Sequence, residues 1–330
     1  MDSAENQVES NLSTRQHTGE RERAERWPPL PYEAWKETYE TLHMWTQIVG
    51  KVRMELSPFL NHWWHVTLYV TPRGLTTSAI PYHGGSFEVT FDFLEHTLFM
   101  RTSEGTTKAL PLIPRSVASF YQEFMACLHA LGIEVTINPL PSEVRDPIRC
   151  DVDEIHASYD PLYANRFWRI LTQTATVMQR FRSPFVGKSS PVHFFWGSFD
   201  LAVTLFSGRL APERPGADRI TREAYSHEEI SCGFWPGSDN FPAPAFYSYT
   251  SPEPPGLSTA SIRPQEAFYS QELGEFLLRY DDMRAASSPE QALLEFFEST
   301  YEAGATLAQW DRGLLERHIE NGRSRGGDRP

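Results

Sequence analysis

Twice along the chain, a stretch whose apolar residues recur at helical spacing gives way to short runs at strand spacing. This doubled change of period restricts the fold more than any other feature. From Tyr32 to Leu56, residues Leu42, Trp45, Val49, Val52 and Leu56 recur at three- and four-residue steps and form one apolar stripe, which Ser57-Pro58 ends. Strand-like runs follow over 62–71, 76–82, 87–93 and 98–102. In the third, rings and Val89 share one face, while Glu88, Thr90 and Asp92 share the other. Pro114 opens a helix that Gly132 closes, and Val135 and Ile137 read as a short strand. The sequence then begins again. Asp160-Pro161 caps a helix reaching Arg182, strands follow over 192–206, 226–235, 245–250 and 276–280, and Ser288-Pro289-Glu290-Gln291 reads as a capping box for a last helix.

The expected fold is therefore α+β, with two pseudo-repeated halves, each a mostly antiparallel four-stranded sheet packed with helices. Residue matches follow the same division. Thr46-Gln47 corresponds to Thr172-Gln173 and Ser57-Pro58-Phe59 to Ser183-Pro184-Phe185, and a five-residue insertion then aligns His62-Trp63-Trp64 with His193-Phe194-Phe195. The alternative is coincidence within a single mixed domain. The halves are expected at 27–137 and 160–317, joined by a linker at 138–159 that is rich in Pro, Asp and Glu. Disordered tails are expected at 1–26 and 318–330.

A net charge of −13 argues against nucleic acid and against anionic membrane surfaces, both of which call for basic patches. The polar N-terminus lacks the apolar segment of a signal peptide, and no apolar run approaches the ~18–20 residues of a membrane span. The 3 cysteines, Cys127, Cys150 and Cys232, suggest neither a disulfide framework nor a metal motif, and a cytoplasmic location is expected. With aromatics at 13%, a core or pocket rich in rings is expected.

Familiar signatures fail on inspection. Gly187-Lys188-Ser189 resembles the end of a phosphate-binding loop, but the first glycine that motif requires falls on Arg182. His227-Glu228 begins a zinc-protease motif that Ser231 breaks, and no nucleophile elbow or dinucleotide fingerprint is present.

What remains is a set of polar residues inside apolar strands. If 62–71 and 192–206 are continuous strands, His62 and His193 occupy matching positions. Two imidazoles would suit a transition metal or proton exchange, and structural hydrogen bonding at a strand end is the plainer reading. On the other faces, His65 and Asp200 would pair as base and orienter, unless that face is solvated. In the run 225–237, Glu228 lies on the apolar face next to His227, and both are catalytic candidates. A charged edge strand would also explain them. Trp63, Trp64, Phe195, Trp196, Trp235 and Tyr247 are the candidate pocket rings. The expected partner is a small, partly apolar molecule. The expected function is an enzyme using His and carboxylate groups as acid, base or metal ligand, and the alternative is a binding or regulatory module that holds its ligand without turnover.

The strings NHWWHVTLYVTPRGLTTSAIPY, HASYDPLYANRFWRIL, PVHFFWGSFDLAVTLFSGR and SHEEISCGFWPG give the chain a further identity. Through them it resembles a bacterial family catalogued only as a domain of unknown function. The resemblance spans about 27–317 and implies a cytoplasmic bacterial protein, and it carries no activity or site residue with it.

Overall fold

The computed structural model describes residues 26–317. Of the expected tails at 1–26 and 318–330, all but Arg26 lies outside the described residues. Helix α1 (Tyr32–Leu56) keeps the bounds that its period and Ser57-Pro58 predict. It is buried on nearly every side between residues 41 and 53, including Thr46, Gln47, Lys51 and Arg53, because it runs through the middle of the molecule. The strands β1 (Tyr69–Thr71), β2 (Gly74–Thr76), β3 (Ile80–Tyr82), β4 (Gly85–Asp92), β5 (Thr97–Thr102) and β6 (Thr107–Pro111) form the first sheet, and α2 (Val117–Ala130) closes that half. Helix α3 (Pro161–Arg182) opens the second half, with the Asp160 carboxylate accepting from the Leu162 and Tyr163 amides as its cap. There follow β7 (His193–Phe195), β8 (Asp200–Leu210), α4 (Arg219–Ala224), β9 (His227–Trp235), β10 (Ala245–Ser251), β11 (Phe268–Ser270), β12 (Glu275–Arg279), α5 (Tyr280–Ala285), α6 (Pro289–Leu307) and α7 (Arg312–Leu315). Ser288 stands at the start of α6, but its side chain makes no capping bond.

Both sheets are antiparallel and mixed with helices, as expected, but each has six strands instead of four. Of the additional strands, β2, β6 and β11 are only 3 to 5 residues long, too short to show a period in sequence, and the fourth arises because the 192–206 run is divided into β7 and β8. The 135–137 segment is not a strand. The order is β1-β2-β4-β5-β6 in the first sheet, with β3 also on β4, and β7-β8-β9-β10-β12-β11 in the second. The sheets meet at one point: Leu68 and Phe194 exchange both backbone hydrogen bonds, each 2.9 Å. These residues are 126 positions apart, the same spacing as Thr46 and Thr172.

Two expected strands are broken. Residues 61–63 form a 3₁₀ turn in which His62 and Trp63 both have positive φ (54° and 59°), so pairing begins only near Leu68. The 192–206 run turns between β7 and β8, where Phe199 has φ 59°. A strict two-residue alternation across either break is lost, and with it the expected match of His62 to His193. One is in a turn and the other in β7.

One face of the second sheet, with Val203, Ile230, Phe234 and Phe246, packs against α3 and α6, where Phe167 meets Phe234 and Phe297 meets Phe246. The opposite face is roofed by the 61–64 turn and by residues 211–226. The His62 ring lies 4.7 Å from Phe206, and Tyr225 lies 6.1 Å from Tyr249. The 138–159 segment has no helix or strand, yet it is pinned to its neighbours. The Ser142 amide and carbonyl both bond the Gln47 side chain, and buried Asp153 offers its backbone carbonyl to the Ala118 amide at the start of α2. Among the described residues, no helix is long and apolar enough to cross a membrane.

Candidate functional site

Antiparallel register assembles the roofed face row by row. His193 pairs with Ala202, Ala202 with Gly233, and Gly233 with Tyr247. Directly paired residues share a face, so an imidazole and a phenol flank a floor of small residues. A methyl group on Gly233 would lie 2.1 Å from the Tyr247 ring, so only glycine lets that ring lean across the strand. Its hydroxyl thereby reaches Asp200 and donates to Oδ2, while Ser198 Oγ donates to Oδ1. Burial pushes the Asp200 carboxyl above the usual range, against the pull of these two hydrogen bonds.

Glu229, one position along from the expected Glu228, is the most confined acid on this face at 4% exposure. Burial pushes it up to about 8, despite Arg214, the Tyr249 hydroxyl at 3.5 Å and Lys188. Glu275 on β12 is pushed up to about 7, by burial and then by the charge of Asp200. Glu143, from the 138–159 segment, lies against Gly197, and its carboxyl is raised for the same two reasons.

The other wall is basic and aromatic. The His62 Nδ1–H donates to the Ala224 carbonyl (3.0 Å), which leaves Nε2 to accept from the Lys188 ammonium at 2.5 Å. The His62 amide donates to Glu223, and this bond helps hold two successive left-handed residues, a conformation that non-glycine residues adopt at a cost. Lys188 sits 4.5 Å from the Phe206 ring centroid and 5.6 Å from that of Trp64, and burial lowers its pKa. His227 stands edge-on to His62 at 5.4 Å. His193, 1% exposed, is ringed edge-on by Trp64, Tyr69 and Phe195 at 5.5–5.6 Å, and neither ring nitrogen has a partner. Burial first, then Arg53 and Arg182, hold it down at about 3.

The structure thus brings His62, Trp64, His193, Phe195, His227, Asp200 and Tyr247 to one side of the second sheet. It sets the others apart. His65 Nδ1 accepts from the Leu60 amide and its ring lies on Trp63, which Arg219 approaches from outside, so its partner is not Asp200. Trp196 is a core residue that packs on Gly50 and donates to the Val66 carbonyl. Glu228 closes an ion pair with Arg209 at 2.6 Å and accepts from Ser207. Trp235 packs on Phe241. His62 and His193 both touch Trp64, each with different surroundings. Among the described residues, no three His, Cys, Asp or Glu side chains gather closely enough to hold a metal ion.

Sequence reasoning missed Lys188, Glu229 and Tyr249. Lys188 was visible only as part of a failed phosphate-loop motif. Glu229 alternates with Ser231 and Gly233, which marks a polar face, but nothing local says that residues 211–226 fold over it.

The chain matches no curated protein and no solved structure. A family model covers residues 27–317, which is nearly all of the described chain, and on that match the protein belongs to a family of unknown function (DUF5996).

Proposed function

We propose that the roofed face of the second sheet is the active site of an enzyme acting on a small, partly apolar molecule by acid–base chemistry. One observation carries the reading: Asp200, Glu229 and His62 are withdrawn from water on one sheet face, and among the described residues none of them closes an ion pair. Buried polar groups that no partner neutralises are costly, and active sites are where such arrangements concentrate. In this reading Glu229, protonated through neutral pH, gives a proton, and Asp200 with Tyr247 positions the substrate. His62, its tautomer set by Ala224 and its Nε2 facing Lys188, relays charge, with His227 beside it. Trp64, Phe195 and Phe206 would hold the apolar part of the molecule. The three unpaired thiols suit a bacterial cytoplasm, and two antiparallel sheets of six strands each suit an internal duplication.

A binding module is the second reading. It is favoured by the raised carboxyl groups, which when neutral recognise a ligand as readily as they transfer protons. To test both readings, the purified protein is incubated with pools of small metabolites, followed by mass spectrometry and by thermal melting. The enzyme reading expects a component that the wild type consumes and that Glu229→Gln and Asp200→Asn, both folded, do not. A component that raises Tm without being consumed replaces it with the binding module, and a pool that neither changes nor stabilises the protein removes both.

A further inference from the structure

We propose that Arg53, His193 and Arg182 form an anion-binding subsite at the His193 end of the small-residue floor, which receives a carboxylate or phosphate group of the ligand. Arg53 comes from α1 and is buried. Its Nε donates to the His65 carbonyl at 2.9 Å, while Nη1 is buried without a partner. Arg182 ends α3. Its Nη2 donates to Ser189 and its Nη1 to Gln179, and its Nε is buried without a partner. His193 adds two unpartnered ring nitrogens. Tyr69 ties the group together, with the Arg53 guanidinium 5.5 Å from its ring centroid and the His193 ring 5.5 Å away on that same ring. Both arginines act on His193 electrostatically. Among the described residues, no Asp or Glu lies within ion-pair distance of Arg53 or Arg182, in a chain with 43 acidic residues.

Four buried polar atoms of these three residues thus lack partners, two of them on guanidinium groups, and Arg53 and His193 meet on the Tyr69 ring. An oxyanion matches that set, since each guanidinium presents one unpartnered N–H nitrogen and the imidazole offers one more donor. The placement also specifies the ligand. His193 shares a row with Ala202, Gly233 and Tyr247, so an anionic head at His193 lays the body of the molecule over the floor toward Tyr247 and Asp200. The proposed substrate class is a small organic acid or phosphate ester with an apolar body. That assignment of class rests on the active-site reading above, whereas the binding of the anion does not.

The experiment is titration of the full-length protein with inorganic phosphate and, separately, with acetate. It follows the ring resonances of His193 by NMR, assigned against His193→Gln, and binding heat by calorimetry. Saturable shifts at His193 are expected with at least one anion. A response to phosphate alone names a phosphate ester, and a response to acetate alone names a carboxylate. Arg182→Gln, at the half-exposed end of the cluster, should weaken binding by about tenfold or more. Arg101→Gln, which removes the same charge from an exposed site on β5, should leave it unchanged. No response at His193 to either anion, or equal weakening by both variants, overturns the subsite while leaving the turnover test untouched. Anion binding without any turnover keeps the subsite and removes the enzyme.

Discussion

At Glu229 the fold holds a proton that the unfolded chain would release. The ordinary value is 4.5 and burial raises it to about 8, so between these pH values the native state binds more protons than the unfolded state and stability falls as pH rises. His193 works in the opposite sense. Held at about 3 against an ordinary 6.5, it adds stability as pH rises through that interval and nothing further above it. The two effects separate above about pH 6.5. We therefore expect stability to fall by roughly 1–2 kcal/mol between about pH 6.5 and about pH 8, and Glu229→Gln to remove most of that slope. Urea midpoints at the two pH values check this, and a rising midpoint in the wild type would contradict it. Glu228 was legible in the sequence as a carboxyl on an apolar face, and it does lie there. As the second residue of β9, however, it reaches Arg209, whereas Glu229 is buried by a distant segment that local pattern cannot reveal.

The elements show where local pattern suffices. Helices α1 and α3 could be read almost to the residue, because period, cap and Pro are all local signals. The break between β7 and β8 could not. Phe199 adopts a left-handed conformation, which costs about 1–2 kcal/mol, because its ring then lies 5.1 Å from each of Tyr39, His43, Phe167 and Phe194. Full burial of such a ring contributes about 1.5–3 kcal/mol, enough to offset the turn. Gly50 poses the opposite problem within α1. Alanine there would gain about 1 kcal/mol of helix propensity, but its methyl group would lie 2.2 Å from the Trp196 indole nitrogen. Overpacking of that kind costs about 1–3 kcal/mol. We expect Gly50→Ala to destabilise the protein and loosen the Trp196–Val66 hydrogen bond. Denaturant midpoints and tryptophan fluorescence test this, and an unchanged or higher midpoint would refute it.

For the molecule as a whole, the order helix, strands, helix was legible twice over, but the way the halves join was not, because it depends on two residues far apart in the chain. Leu68 and Phe194 link the sheets, and Phe167 on α3 contacts rings of Trp35, Phe194, Phe199 and Phe234. With a core shared in this way, unfolding is expected to be one transition seen alike by far-UV and near-UV probes. Phe167→Ala should lower that transition as a unit, by about 3–5 kcal/mol, and two resolved steps would show that the halves are independent. The join has a further consequence, for behaviour at high concentration. β1 and β7 would each be an open border, and they close on one another, so among the described residues, apart from β3, a short edge of 3 residues on β4, the ribbon of strands ends at β6 and β11. The first border carries Lys108 and Pro111, and the second is a strand of 3 residues. Both are poor templates for a foreign strand, so crowded solutions of this strand-rich protein should stay free of edge-to-edge polymer.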